Sequence, residues 1–398
     1  MTITYTNVNL FQGTKDQLLN NAWFTVNEKG RIEDIGTDNA PATDKVVDLK
    51  GQYVMPGLIN AHTHIFMNAL TNKLYYISET EGTLQALANL REALQSGQTY
   101  IRDCGCIFDI DVKLQKNRKA HPFTGPNIMA SGRPMCITGG HADFVEGENA
   151  QTTWGHLVDS NDEMRHAVRL NFKEGARNIK VMSTGGIMSA TDQIDDTELT
   201  VAEMKTAVEE AHSKHMTVAA HAEGGNGIHN AILAGVDSIE HGSFVSDDDI
   251  QLMLDKGTYL TPTLVAPWTL MRYGEGKVPQ YMLDKAGKFL KDWFANTGRA
   301  FKAGVKLAFG TDAGCPFDRF AYAPKELELM VQAGATNFQA LQSAGVGSAT
   351  LMKIDDDYGT LEKGKFADFL VLKDNPLKDV KAVQQKDKQV FQHGTRKF

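Results

Sequence analysis

Between about residues 56 and 350 short apolar runs alternate with longer stretches of helical spacing, and no other feature constrains the fold as tightly. Residues 58–62, 99–103, 127–131, 178–182, 217–221, 238–241, 258–261 and 306–312 read as strands: short, mostly apolar and bounded by turn residues. Between them lie segments such as Thr200 to His215, where Val201, Met204, Ala207, Val208 and Ala211 fall on one helical face. Thr200 is the candidate N-cap there, with Glu203 as its capping-box partner. Strands alternating with helices predict an α/β fold with a parallel sheet, and eight such units predict a (β/α)8 TIM barrel over residues 56–354.

A barrel of this kind takes about 250 residues, and the chain has 398. The remainder reads as strands at both ends. Residues 2–10 and 22–27 alternate, and Val46-Val47-Asp48-Leu49 precedes a turn at Lys50-Gly51. Near the other end Ala367 to Leu372 and Gln389-Val390-Phe391 are again strand-like. The expectation is one small β domain built from residues 1–55 and 355–398. The runs Asp247-Asp248-Asp249 and Asp355-Asp356-Asp357 read as solvated loop or helix-start charges.

Composition excludes several classes. A net charge of −8 without a basic run argues against nucleic-acid partners. No stretch nears the roughly 18 apolar residues of a membrane span. The first residues lack a basic segment followed by an apolar one, so cytoplasmic residence is the default expectation. Cys104, Cys106, Cys136 and Cys315 form no disulfide framework, and Cys104-Gly105-Cys106 is not a zinc-knuckle spacing; reduced thiols are expected.

Of the twelve histidines, most have ordinary surface or loop readings. His62 and His64 differ. Residues i and i+2 of a strand share a face, so both imidazoles project inward at the C-terminal end of the first barrel strand, where barrel enzymes place their sites. Two imidazoles on one face suit a first-row metal. His221 and His241 also stand at the ends of apolar strand runs, and four histidines at three strand ends on one rim are improbable as coincidence. Asp312 ends the last strand run; Gly310 and Gly314 allow close backbone approach beside it. A carboxylate there can ligate metal and accept a proton; alone it reads equally as an N-cap or loop aspartate. Lys180 stands in Asn178-Ile179-Lys180-Val181-Met182, the text of a buried strand. Lysine is rarely buried unpaired. A buried amine is driven towards its neutral form, and a neutral amine can take up carbon dioxide as a carbamate. Snorkelling to solvent from a strand end is the alternative.

The set His62, His64, Lys180, His221, His241 and Asp312, in that order, resembles the amidohydrolase superfamily in its binuclear, carboxylated-lysine branch. Val54-Met55-Pro56-Gly57-Leu58-Ile59-Asn60-Ala61-His62-Thr63-His64 and Gly359-Thr360-Leu361-Glu362-Lys363-Gly364-Lys365-Phe366-Ala367-Asp368 extend the resemblance over essentially the whole chain. Ile179-Lys180-Val181-Met182-Ser183-Thr184-Gly185-Gly186, Gly139-Gly140-His141-Ala142-Asp143 and Ser238-Ile239-Glu240-His241-Gly242-Ser243 are similar to the Xaa-Pro dipeptidase-like (prolidase-like) and carboxypeptidase-like members, a group that includes ochratoxin-hydrolysing relatives.

The resemblance implies a distorted barrel beside a β-sandwich formed by both chain ends. It implies two divalent metals, zinc being the usual ion: His62, His64 and Asp312 on the first, His221 and His241 on the second, carboxylated Lys180 between them. A hydroxide shared by the metals would attack an amide carbonyl, with Asp312 carrying its proton to the leaving amine. His141 would contact the substrate, a dipeptide or N-acyl amino acid; an ordinary loop histidine is the competing reading. A homo-oligomer is left open. Two departures, Ala142 where relatives carry glycine and the altered run Ala344-Gly345-Val346-Gly347-Ser348-Ala349, bear on substrate rather than on metal ligands.

A deaminase or cyclic-amide hydrolase of the same superfamily is the nearest rival. Mononuclear deaminases lack the lysine and carry a glutamate three residues after the third histidine; here that position is Gly224, and Glu223 has the wrong offset. An imidazolonepropionase-like ring hydrolase is disfavoured by the same lysine. A non-catalytic relative would have lost ligands, and all six are present.

Overall fold

The computed structural model describes residues 1–70, 77–143, 145–146, 152–190 and 192–398. The chain opens with β1 (Ile3–Leu10), β2 (Leu19–Val26), β3 (Ile32–Gly36), β4 (Lys45–Asp48) and β5 (Tyr53–Pro56). The central region carries β6 (Leu58–Thr63), β7 (Gln98–Asp103), β8 (Asn127–Met129), β9 (Met135–Cys136), the pair β10 (Val145–Glu146) and β11 (Thr152–Thr153), β12 (His156–Leu157), β13 (Asn178–Met182), β14 (Thr217–Ala222), β15 (Ser238–His241) and β16 (Tyr259–Thr261). It closes with β17 (Phe369–Leu372), β18 (Gln389–Gln392) and β19 (Thr395–Arg396).

The central strands are parallel, with helices between them, as the alternation requires. They form two sheets, β6-β7-β8 and β12-β9-β13-β14-β15-β16, rather than one closed ladder. Two seams join them. On one side the backbone amides of Arg177 and Asn178 donate to the Ala130 carbonyl. On the other, segment 306–313 lies between β16 and β6: Ala308 N bonds Leu260 O at 3.0 Å, and Ala61 N bonds Phe309 O at 2.7 Å.

That segment was expected as the eighth strand over 306–312, and it forms only isolated bridges, at Leu307 and Ala313. Its ladder is diverted: Phe309 N turns to Ser348 Oγ, and Asp312 takes a left-handed φ of 66°. The other seven predicted strands exist, 178–182 and 238–241 with the predicted ends and the other five with shifted ends; β14 runs one residue past His221.

Both chain ends do join, in a single eight-stranded sheet ordered β19-β18-β17-β5-β1-β2-β3 with β4 also on β1, where two packed sheets of a sandwich were expected. The sheet is curled. Phe24 of β2 and Phe369 of β17 are not on neighbouring strands, yet their ring centroids lie 5.2 Å apart. Tyr5 stacks on Phe24 at 4.9 Å, and Phe391 on Phe369 at 4.2 Å, which fills the concave face. Phe11, Met55, Leu370 and Val390 pack into the central core and so fix this sheet against the parallel strands.

The helix signals held. Thr200 caps helix α4 (Val201–His212) with Glu203 closing the box, and Met204, Ala207, Val208 and Ala211 are buried. The run Asp247-Asp248-Asp249 starts helix α6 (Asp247–Lys256), where Asp249 is buried as a capping partner of Ser246. All four cysteines are free and buried. Among the described residues no helix is long and apolar enough to cross a membrane.

Phe369 is fully buried at the centre of the aromatic cluster. Phe369→Ala is expected to cost about 3–5 kcal/mol through lost transfer energy and a residual cavity. Val46→Ala, on an exposed residue of β4, should stay within about 0.5 kcal/mol. Urea midpoints of the two variants check the contrast.

Candidate active site

The C-terminal ends of the parallel strands surround one cavity, which His62, His64, His141, Lys180, His221, His241 and Asp312 all line. The structure therefore brings together every residue singled out for chemistry in the sequence.

His62, on β6, is fully buried. Its Nδ1 lies 2.7 Å from Glu240 Oε2. Glu240 Oε1 accepts from Arg102 Nη2 at 2.8 Å and from the Ser238 hydroxyl. Burial pushes the Glu240 carboxyl up, but the Arg102 charge and the His62 bond outweigh it and hold the pKa at about 2. An ionised carboxylate only accepts, so His62 donates from Nδ1 and its Nε2 lone pair faces the cavity. His64 is arranged alike: its Nδ1 donates to the Gly105 carbonyl at 3.1 Å. Fixing one ring nitrogen so that the other is free to bind is the usual support of a metal-ligating histidine.

Both Nε2 atoms point at one oxygen. Asp312 Oδ1 lies 3.2 Å from His62 Nε2 and 3.2 Å from His64 Nε2. Two lone pairs and a carboxylate oxygen around one point repel until a cation or a shared proton stands between them. The donor set fits a divalent metal. Burial raises the Asp312 carboxyl, and its bonds and charge contacts with His62 and His64 more than reverse that, leaving it well below the usual carboxylate range. The expected glycines are needed. A Cβ on Gly310 would sit 2.8 Å from His62 Cβ, and one on Gly314, whose φ is 114°, would sit 2.2 Å from His64 O.

A second group adjoins the first, the rings of His62 and His241 lying 4.9 Å apart. His241 Nδ1 is 2.7 Å from Thr263 Oγ1, and His221 Nε2 donates to Gly185 O at 3.0 Å. Burial, then neighbouring imidazoles, push both histidines well below the usual imidazole range, so they are neutral, as ligands must be. Strict strand alternation would set Glu240 and His241 on opposite faces. His241 has a left-handed φ of 73°, and both side chains reach the interior. Left-handed non-glycine residues at His241 and Asp312 place backbone strain at the site. Lys180 is 1% exposed, with Nζ 3.4 Å from His62 Nε2, so it is buried on the cavity side and does not snorkel.

His141 is buried in the loop after β9, its ring stacked on His221 at 4.4 Å. Its Nδ1 lies 3.1 Å from Asp192 Oδ2, and its backbone N donates to Glu198 Oε1 at 2.6 Å. Sequence reasoning missed Arg102, Glu240, Asp192 and Glu198, and weighed Glu223 only for a deaminase. Arg102 carried the same signal as Lys180, a long cation inside strand text. Glu223 lines the cavity and groups with His221 and His241 as a candidate ligand; burial, then the charges of Asp312 and Asp192, raise it to about 8. The rest of the wall is apolar, with Trp154, Met182, Met188, Leu270, Met282 and Trp293.

A model of the amidohydrolase family matches residues 53–395. Ochratoxinase of Aspergillus niger is 31% identical over 361 residues, which cover 83% of this chain and 72% of the relative. Among solved structures, a Xaa-Pro dipeptidase with methionine bound in its active site aligns with a TM-score of 0.91 at 28% identity, over 100% of both chains. A prolidase complexed with N-methylphosphonate-L-proline aligns with a TM-score of 0.91 at 27% identity, over 100% of this chain and 99% of that one. The chain belongs to the amidohydrolase family. It is a hydrolase acting on C–N bonds, and its likeness within the family lies with prolidase and ochratoxinase.

Two outcomes follow from the buried carboxylates. Glu240→Ala leaves Arg102 charged and unpaired in the interior, which is expected to cost about 3–5 kcal/mol and to weaken metal binding about 10–100-fold; urea melts and a competitive chelator titration measure them. Glu198 has its pKa raised to about 8, chiefly by burial, and its Oε2 has no partner among the described residues. Its folded pKa lies above the unfolded value, so the stability it contributes is full below about pH 4.5 and lost as pH rises through about 8. Glu198→Gln mimics the protonated acid. It should match the wild type in urea midpoint at pH 5 and exceed it at pH 9.

Proposed function

We propose that this enzyme hydrolyses the amide bond of a dipeptide or N-acyl amino acid at a centre of two divalent metals. The observation that carries the reading is the convergence of His62 Nε2, His64 Nε2 and Asp312 Oδ1 on one point, beside neutral His221 and His241 and the buried Lys180. In this reading His62, His64 and Asp312 would hold one metal, and His221 and His241 would hold the other. Lys180, as a carbamate formed with carbon dioxide, would be a ligand shared by both; zinc is the ion expected from the ligand types. Such a metal pair supplies a nucleophile at neutral pH and a Lewis acid for the carbonyl.

The chain's own groups do the rest. The Asp312 carboxylate accepts the proton of the attacking water and returns it to the leaving nitrogen as the C–N bond breaks. Cys315 Sγ, donating to Asp312 Oδ2 at 3.1 Å, fixes the orientation of that carboxylate. His141 offers a contact to the carbonyl or carboxylate oxygen of the substrate. The tryptophans and methionines of the wall accept an apolar side chain and exclude water. We assign catalysis to residues 56–354 as a distorted barrel, with residues 1–55 and 355–398 as its curled-sheet companion. The buried free thiols agree with a cytoplasmic, reducing location.

One observation favours a second reading. Glu223, with its pKa near 8, is a protonated acid in the cavity at neutral pH, as a deaminase or cyclic-amide hydrolase would use. A library of dipeptides and N-acyl amino acids on metal-loaded enzyme, scored by released amine, separates the two. Turnover of apolar members with about two metals per chain is the expected result. Inactivity across it, with turnover of a cyclic amidine or aminopurine, replaces the first reading by the second. Lys180→Ala is expected to lose metal and at least about 10–100-fold in kcat/KM; full metal and full activity in that variant remove the bridge.

A further inference from the structure

Helix α8 (Gln280–Ala303) supplies no candidate ligand, yet it reaches the rim of the site. Lys285 Nζ donates to the carbonyl oxygens of Gly186 at 2.8 Å, Ser189 at 2.8 Å and Asp192 at 2.6 Å, and meets Asp192 Oδ1 at 3.1 Å. An ammonium has three protons, and these four acceptors occupy all of them. Its side chain is 11% exposed and that of Asp192 5%, so this ion pair is shielded from water. One turn earlier on the same face, Tyr281 Oη donates to Met188 O at 2.9 Å. The described residues of the segment from Gly186 to Asp192, 186–190 and 192, lie in no helix or strand, and α8 holds its backbone carbonyls in place.

The second oxygen of Asp192 faces inward and accepts from His141 Nδ1 at 3.1 Å. The His141 ring is closely packed. His221 stacks on it at 4.4 Å, and a Cβ added to Gly186 would come within 2.4 Å of its Cε1. A polar chain thus runs from α8 through a loop carboxylate to the ring that stacks on a candidate metal ligand.

We infer that Asp192 and Lys285 are positioning residues: Lys285 fixes Asp192, and Asp192 sets which nitrogen of His141 faces the substrate. The inference rests on the reading of His141 as a substrate contact in amide hydrolysis. The bond to Nδ1 leaves Nε2 as the atom presented to the cavity, since the carboxylate selects the ring orientation. Without it a rotation about the ring axis would present a carbon edge. The orientation is rigid because the chain ends on a helix of 24 residues, a firmer support than the loop itself.

The test uses the full chain loaded with zinc, in the variants Asp192→Ala, Lys285→Met and the double variant. Each is expected to keep the wild-type zinc content. For the best amide substrate kcat should fall about 100-fold, as for a misplaced catalytic contact, while KM changes less than about threefold. The double variant should be no worse than the poorer single one, because both act on one ring. Crystal structures of the zinc-loaded single variants should show the His141 ring rotated off His221. Unchanged kcat with the ring still stacked near 4.4 Å overturns the inference, as does full additivity in the double variant. Should the wild type turn over no amide, the hydrolase reading falls by itself. The ring position in Asp192→Ala then still decides whether Asp192 orients His141.

Discussion

The guanidinium of Arg102 is the interaction on which the rest of this structure depends. It is fully buried on β7, in the interior of the parallel strands. It donates to Ala61 O at 2.5 Å, Ser238 Oγ at 3.2 Å and Glu240 Oε1 at 2.8 Å, and it reaches Asn178 Oδ1 at 3.4 Å. Asn178 in turn accepts from Thr217 Oγ1 and donates to Ser131 Oγ. One cation therefore ties β6, β7, β13, β14 and β15 together across both central sheets. Burying such a charge is costly unless it is paired and its protons are used. Here four of the five N–H groups are used, and the network stands as a polar floor under the cavity.

The site is built on that floor. Glu240 passes the charge of Arg102 to His62, which fixes that imidazole's tautomer and turns its Nε2 to Asp312. A metal centre needs ligands whose lone pairs are already aimed, because aiming them on binding costs entropy and reorganisation. The left-handed backbone at His241 and Asp312 serves the same end. Each lets a side chain reach a point that regular strand geometry denies it, and Gly310 and Gly314 leave room for the close approach of His62 and His64 beside Asp312.

This explains which parts of the protein were legible in the sequence. His62, His64, His221 and His241 could be found because strand ends are local features, and apolar text next to histidine marks them. Seven strands were found for the same reason. Segment 306–313 misled because its text is a strand's while its hydrogen bonds go partly to side chains 39 residues away in sequence. The single curled sheet was hidden because pairing between β1 and β5, or β5 and β17, is set by partners far apart along the chain. Asp192 and Glu198 were invisible for a related reason. They act on His141 from 51 and 57 residues further along the chain, and nothing in the text around them differs from solvated acid.

The buried carboxyls divide by what they face, and the division follows the function. Both Glu240 and Asp192 are held ionised at about 2 against the pull of burial, Glu240 first by Arg102 and then by its bond to His62, Asp192 first by its bond to His141 and then by Lys285. Glu223, Glu198 and Glu326 have no such cation, and burial carries all three to about 8. An ionised carboxylate is wanted where it must orient an imidazole without giving up a proton, and Glu240 and Asp192 do this for His62 and His141. Arg102 and Lys285 are thus similar devices beside one cavity. Each is a buried cation outside the reacting groups, paired with a carboxylate that bonds a histidine ring. Under the proposed reading the two chains would aim two kinds of histidine, His62 towards a metal and His141 towards the substrate.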